Sequence, residues 1–350
     1  MNNLTNIAPV VIVLLLCGGL LFFVDGVEFI DSPKTEVTIA SQNDRTVEMV
    51  TVLPRDVIPA IDHPRFVSAD RANYAADELV IGVEVDGEAR AYSIPHLSRH
   101  EIVNDEIRGV HLAVTWCPLC FTAIVYEREI EGTVFDFGVS GKLIMNTLVM
   151  YDRQTQSSWS QLLGEAVAGP LAGMRLEPYT HSWQTTWEEW VERYPDTIAL
   201  DKIGAGSGDG YAAYYRSGET GIHPQAVEDD RLGVKEWVIG VAQDGEAVAY
   251  SFDVLARELV VSDGQTLVVF LPASATGLVY NRMVEGQVLN FGFENGFLVD
   301  HETRSAWDLW TGAAVSGPME GQRLRRVPST RAFWFGWKDW FPDTRVYGQD

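Results

Sequence analysis

Val80–Leu97 reads VIGVEVDGEARAYSIPHL, and Val238–Leu255 reads VIGVAQDGEAVAYSFDVL. Each has an apolar strand pattern, an Asp-Gly turn (Asp86-Gly87, Asp244-Gly245), a second strand and a serine placed to cap a short helix (Ser93, Ser251). Further along, Tyr151–Leu176 (YDRQTQSSWSQLLGEAVAGPLAGMRL) matches Val299–Leu324 (VDHETRSAWDLWTGAAVSGPMEGQRL). Two matches in the same order mark one β-rich unit written twice. The expected fold is therefore mainly β with a few short helices, an α+β tandem duplication behind an N-terminal transmembrane helix. Its expected divisions are a membrane anchor (1–27), a stalk (28–60), a first repeat (61–201), a linker (202–222) and a second, degenerate repeat (223–350).

Within the first repeat, Pro95 suits the first turn of a helix running to about Val103. Val110 to Thr115 and Ala123 to Arg128 read as strands, a hairpin turns at Glu131-Gly132, and Val134 to Val139 alternates toward Ser140-Gly141. The unit ends in a helix expected from about Ser182 to Tyr194, with Trp183, Trp187 and Trp190 on one face. Trp334 and Trp337 repeat that pattern in the second unit, so the tryptophans read as core.

The chain has 350 residues, is 46% hydrophobic, and carries a formal net charge of -23. Its acidity and the lack of any basic cluster argue against a nucleic-acid partner, which would need lysines and arginines set against phosphates. Ile7–Val24 (IAPVVIVLLLCGGLLFFV) has the length and apolarity of a bilayer-spanning helix and is expected to be a membrane anchor, with a cleaved signal peptide as the competing reading, and the bulk of the chain is expected outside the cytoplasm. Three cysteines are too few for a disulfide framework: Cys17 lies in the apolar run, and the other two form a local pair.

That pair, Cys117 and Cys120 in Trp116-Cys117-Pro118-Leu119-Cys120, is absent from the second unit, where Leu271 and Ser274 stand. Two cysteines at this spacing can close a redox-active disulfide or give two thiolates to one metal ion. The residues after Cys120 favour a strand, so a thioredoxin-like helix N-terminus is not expected there. His96 and His100, four residues apart, also lack counterparts. With the cysteines they could complete a copper or zinc site, and Glu101 and Asp105 could orient it. Ser140 and Lys142, a nucleophile and a base two residues apart, form a third cluster confined to the first unit, and Gln161 becomes Leu309. His63 and His223, each before proline, read as structural, and His181 as a neighbour of the tryptophan helix. Asp152, Thr155, Ser157 and Trp159 recur as Asp300, Thr303, Ser305 and Trp307 and are assigned to the scaffold.

The motifs Ile58-Pro59-Ala60-Ile61, Gly87-Glu88-Ala89-Arg90-Ala91-Tyr92, His100-Glu101-Ile102-Val103-Asn104-Asp105, Val114–Cys120 and Met150–Thr155, in that order, resemble the domain of unknown function (DUF) family 3179. The resemblance spans about residues 56 to 201, and the second unit shares only the scaffold. It implies that His100, Cys117 and Cys120 belong together, and it supplies no reaction. The expected function is a membrane-anchored, exported protein whose Cys/His site serves metal binding or thiol–disulfide chemistry. The rival is a non-catalytic binding or assembly module stapled by the CxxC.

Overall fold

A computed structural model describes residues 33–202, 208–243, 245–294 and 296–349. The expected membrane anchor lies outside the described residues, and no helix among those described is long and apolar enough to cross a membrane. The described chain is mainly β, with a few short helices.

The quoted stretches fold as read. Leu79–Val85 pairs antiparallel with Glu88–Ser93, and Trp237–Gln243 with Glu246–Ser251. Asp86 and Gly87 take φ of 46° and 83°, the left-handed conformations that a two-residue hairpin turn requires. Each hairpin gains an outer strand, Ser182–Thr186 in one case and Ser329–Phe333 in the other. On its opposite side each gains a short parallel strand, Ile198–Leu200 or Arg345–Val346. A tryptophan lies over each hairpin: a Cβ on Gly82 would come within 2.4 Å of the Trp190 ring, and one on Gly240 within 2.3 Å of the Trp337 ring. Only glycine permits this closeness. Trp190 Nε1 donates to Thr197 Oγ1 at 2.9 Å, and Trp337 Nε1 to Thr344 Oγ1 at 3.0 Å.

A second layer holds Ile102–Ile107, Val110–Cys117 and Thr122–Glu127, which correspond to Val260–Asp263, Thr266–Leu271 and Thr276–Asn281. A third holds Phe137–Ile144, Thr147–Asp152, Ser158–Ser160 and Ala166–Ala168. The aspartate expected in the scaffold closes its turn: Asp152 accepts from Thr155, from the Ser157 amide at 3.1 Å and from Trp159 Nε1 at 2.9 Å. Asp300 makes the same bonds to Thr303, Ser305 and Trp307.

Four local expectations change. The first helix covers only Ile94–Leu97, because Glu101 turns left-handed (φ 59°) and the β-branched pair Ile102-Val103 starts a strand. The helix expected from Ser182 begins at Trp187. Ser182–Thr186 alternates in burial and is a strand, so Trp183 and Trp187 are not on one helix. Within the expected stalk, Lys34–Ile39 and Arg45–Thr51 form a hairpin that extends the third layer through Phe137–Ile144. Their charged outer face hid the alternation. The expected linker contains a helix, Ala212–Arg216, with Tyr214 buried.

The two stretches interlock. Ser329–Phe333 packs on Thr122–Glu127, with Phe333 N donating to Cys120 O at 2.9 Å and Thr330 Oγ1 to Ala123 O at 3.2 Å. In return, Ser182–Thr186 packs on Thr276–Asn281, where Thr276 Oγ1 donates to Thr185 Oγ1 at 2.8 Å. Each stretch thereby covers the other's second layer with its own outer strand.

Candidate functional site

Cys117 ends one strand, Thr122 begins the next, and the turn between them closes on Phe121 at φ 61°. The corresponding Ala275 has φ 53°, so the turn geometry does not depend on the cysteines. Here it brings both sulfurs inside: Cys117 is 1% exposed and Cys120 0%, and both are free thiols.

The two thiols are unequal. Burial drives Cys117 well above the ordinary thiol range, and its hydrogen bond to Cys120 adds to this. Burial also raises Cys120, but hydrogen bonds from Cys117 and from the Thr122 and Thr147 hydroxyls outweigh it and leave the group below its ordinary value. Cys120 is therefore the more acidic thiol of the pair, and Cys117 the one that holds its proton more tightly. Trp340 Nε1 donates to Thr147 Oγ1 at 2.8 Å, which leaves the threonine proton for Cys120. Thr122 Oγ1 lies 3.0 Å from Cys120 Sγ and 2.9 Å from Gln161 Oε1. Its single proton can serve only one of them at a time. Gln161 is fully buried, and its Nε2 donates to Thr115 Oγ1 at 3.0 Å.

Glu101 borders the pair. Its carboxyl is buried and stands well above the usual carboxylate range, because burial and then the charge of Cys117 disfavour ionisation. Tyr211 and Tyr214 cover the site from the segment between the two stretches, and Tyr214 OH donates to Leu119 O at 2.7 Å. That segment is clamped by Asn146, whose Oδ1 accepts from Ile222 N and His223 N at 2.8 Å each and whose Nδ2 donates to His223 O at 2.9 Å. The Asn146 carbonyl in turn accepts from Cys117 Sγ at 3.7 Å. His223 is held through its backbone.

The other candidates sit as follows. The His96 and His100 rings are neighbours, 4.7 Å between centroids. Burial lowers His96 to about 4 and also lowers His100, whose Nδ1 lies 2.8 Å from Pro59 O. Both are neutral imidazoles near pH 7. Among the described residues no three His, Cys, Asp or Glu side chains converge as a group that could hold a metal, so the structure does not bring the histidines and cysteines together as one ligand set. The Ser140 hydroxyl accepts from Lys142 N at 3.1 Å and donates to Val149 O, bracing a bulge at which Gly141 takes φ 72°. Burial lowers the Lys142 ammonium. Asp105 accepts from Arg90 at 2.7 Å and from Tyr92 OH at 2.5 Å.

The profile of a protein family of unknown function, DUF3179, matches residues 55–344. The chain belongs to the DUF3179 family. Comparison with curated proteins and with solved structures returns no match. The DUF3179 match runs far beyond the 56 to 201 marked by the motifs, so the second stretch is part of the family's unit. Its residues reach the cysteine turn of this chain, through Trp340 on Thr147 and Phe333 on Cys120.

Sequence reasoning missed Thr122, Thr147, Asn146, Trp340 and the two tyrosines. Thr122 recurs as Thr276, so a search for residues confined to the first unit discards it. Asn146 and Thr147 stand where the first unit's hairpin, Phe137–Ile144 with Thr147–Asp152, is longer than the second's Phe291–Glu294 with Phe297–Asp300. That length difference was the available signal.

Proposed function

We propose that the Cys117–Cys120 pair is a dithiol centre for thiol–disulfide exchange, with Cys120 as the attacking thiolate. The observation that carries this reading is the asymmetry of the pair: hydrogen bonds, the first of them to Cys117, hold Cys120 below the ordinary thiol range, while burial drives Cys117 well above it. In the forward step, Cys120 S⁻ attacks a disulfide R–S–S–R′, forms Cys120–S–S–R and expels R′S⁻. Cys117 gives its proton to the departing R′S⁻, attacks Cys120 Sγ and expels RS⁻, which takes a proton from solvent. The products are two thiols and the Cys117–Cys120 disulfide, so two electrons pass from protein to substrate. Both sulfurs are buried, so exchange requires the segment bearing Tyr211 and Tyr214 to open and admit the substrate disulfide.

The second stretch is read as a degenerate copy of the first, retained because its outer strand and final helix cover the cysteine turn. The apolar run Ile7–Val24 supports tethering at a membrane with the bulk of the chain outside the cytoplasm.

Redox titration of the full chain in glutathione buffers, with mass spectrometry of the Cys117–Cys120 peptide, tests the proposal. Reversible loss of two hydrogens at a potential between about −120 and −270 mV supports exchange chemistry. A potential below about −300 mV marks a structural staple instead. Stoichiometric copper or zinc in protein purified under reducing conditions, lost in a Cys117→Ser, Cys120→Ser variant, replaces the redox reading with metal binding.

A further inference from the structure

Where the two stretches interlock, the outer strands Ser182–Thr186 and Ser329–Phe333 border a small pocket of about 40 Å³. Its polar lining is Ser182, Ser329 and Thr330 together with four nitrogen-bearing side chains, Trp183, Gln184, Arg326 and Arg331. Each of these four carries buried nitrogen that lacks a hydrogen-bond partner: Trp183 Nε1, Gln184 Nε2, Arg326 Nη1, and Arg331 Nε and Nη1. All are N–H donors, and no aspartate or glutamate is among the lining residues.

Arg331 is the most telling of the four. It is 4% exposed, and burial alone lowers its guanidinium to about 9, with no carboxylate acting against that shift. Its flat faces are occupied, since it stacks on Trp237 at 4.1 Å, on Phe121 at 4.8 Å and on Phe252 at 4.9 Å. Stacking leaves the in-plane N–H groups unsatisfied. Arg326 is only partly satisfied: Nε donates to Thr180 O and Nη2 to Ser182 O, both at 3.3 Å. A buried cation with unfilled donors is costly unless it is paired. Water can accept hydrogen bonds from these groups but leaves the charge uncompensated. A small anion answers both needs, and a cavity of this size holds about one such ion or a few waters.

We propose that this cavity is a binding site for one small inorganic anion, of the chloride or compact oxyanion class, held by Arg331, Arg326, Gln184 and Trp183. The site sits where sequence-equivalent positions of the two stretches meet, Gln184 answering Arg331 and Ile81 answering Ile239, so it requires both. Arg331 rests on Phe121, the residue after Cys120, so the bound anion also braces the cysteine turn against the second stretch.

The test is thermal unfolding of the full chain at constant ionic strength, with sodium gluconate, whose anion is too large for the cavity, replaced stepwise by chloride, bromide or bicarbonate. A saturable rise in Tm of about 2–5 °C with the small anions is expected. The halide and bicarbonate arms distinguish a spherical ion from an oxyanion. Arg331→Met and, separately, Gln184→Leu should flatten the response, the second guarding against a misfolded first variant. Crystals grown in bromide should show an anomalous peak within the cavity. Equal Tm in all salts, an undiminished response in Gln184→Leu, or bromide found only elsewhere would overturn the proposal.

Discussion

Trp340 donates its indole N–H to Thr147 Oγ1 at 2.8 Å, across 193 positions of the chain. The acceptor then turns its own proton toward Cys120. A residue of the second stretch thus helps set the acidity of a thiol in the first, which two independently folded units would not do. Because Trp340 acts through Thr147, it is a positioning residue.

Replacing Trp340 with phenylalanine keeps most of the ring's packing and removes the donor. Stability to urea should fall by about 1–3 kcal/mol, because Thr147 remains buried with one partner fewer. The pH midpoint of the Cys120 thiolate, followed by its ultraviolet absorbance, should rise. An unchanged midpoint with the stability loss intact would make the indole purely structural.

Single cysteine variants should separate the two thiols. Cys120 in the Cys117→Ser variant should titrate below Cys117 in the Cys120→Ser variant, whose midpoint burial keeps above that of an ordinary thiol. The reverse order in the same absorbance titration would sink the assignment of Cys120 as the attacking group.

Gln161→Leu installs the residue found at the matching position, Leu309. Losing the amide should cost about 1–2 kcal/mol. It also removes the acceptor that competes for the Thr122 proton, so the Cys120 midpoint should move down, opposite to the Trp340 variant. The two substitutions together distinguish control of the thiolate from general loosening.

Glu101→Gln addresses pH. The folded-state value of Glu101 lies well above its unfolded value of about 4.3. Between those values the folded protein holds a proton that the unfolded chain has released, so this group's contribution is full below about pH 4.3 and falls as pH rises through the folded value. Wild type should therefore lose stability relative to Glu101→Gln as pH increases above about 4.3. Denaturant unfolding of both proteins over that range reads the difference directly, and a difference flat with pH contradicts the prediction.

Gly336→Ala probes the same contact by crowding. An added Cβ would lie 2.6 Å from Cys120 Cβ, closer than carbon atoms pack. A loss of about 1–3 kcal/mol is expected, together with slower formation of the Cys117–Cys120 disulfide, measured by thiol trapping.

Much of this was readable in advance. Asp86-Gly87 announced its hairpin, because φ above zero at two adjacent positions suits few residue types. The Asp152 and Asp300 turns were legible from their recurrence. The strand after Cys120 was legible from its β-branched residues, and it removed a helix dipole as the source of thiol acidity. Ser182–Thr186 was not legible, since tryptophans at helical spacing mimicked a longer helix and only pairing with Leu79–Val85 fixes the strand. The hairpin at Lys34–Thr51 was masked because its outer face is charged and its inner face packs on a distant strand.

By itself the sequence determined the elements whose causes are local: turns, caps, strand alternation, and the doubled order of motifs that singles out Cys117, Cys120 and Gln161 along with His96, His100, Ser140 and Lys142. Tertiary structure alone decided what surrounds those residues. Thr122, Thr147, Glu101 and Trp340 become one environment because strands far apart in the chain pair and the two stretches exchange their outer strands. The acidity of a thiol depends on burial and on which donors reach it, and both are properties of the packed molecule.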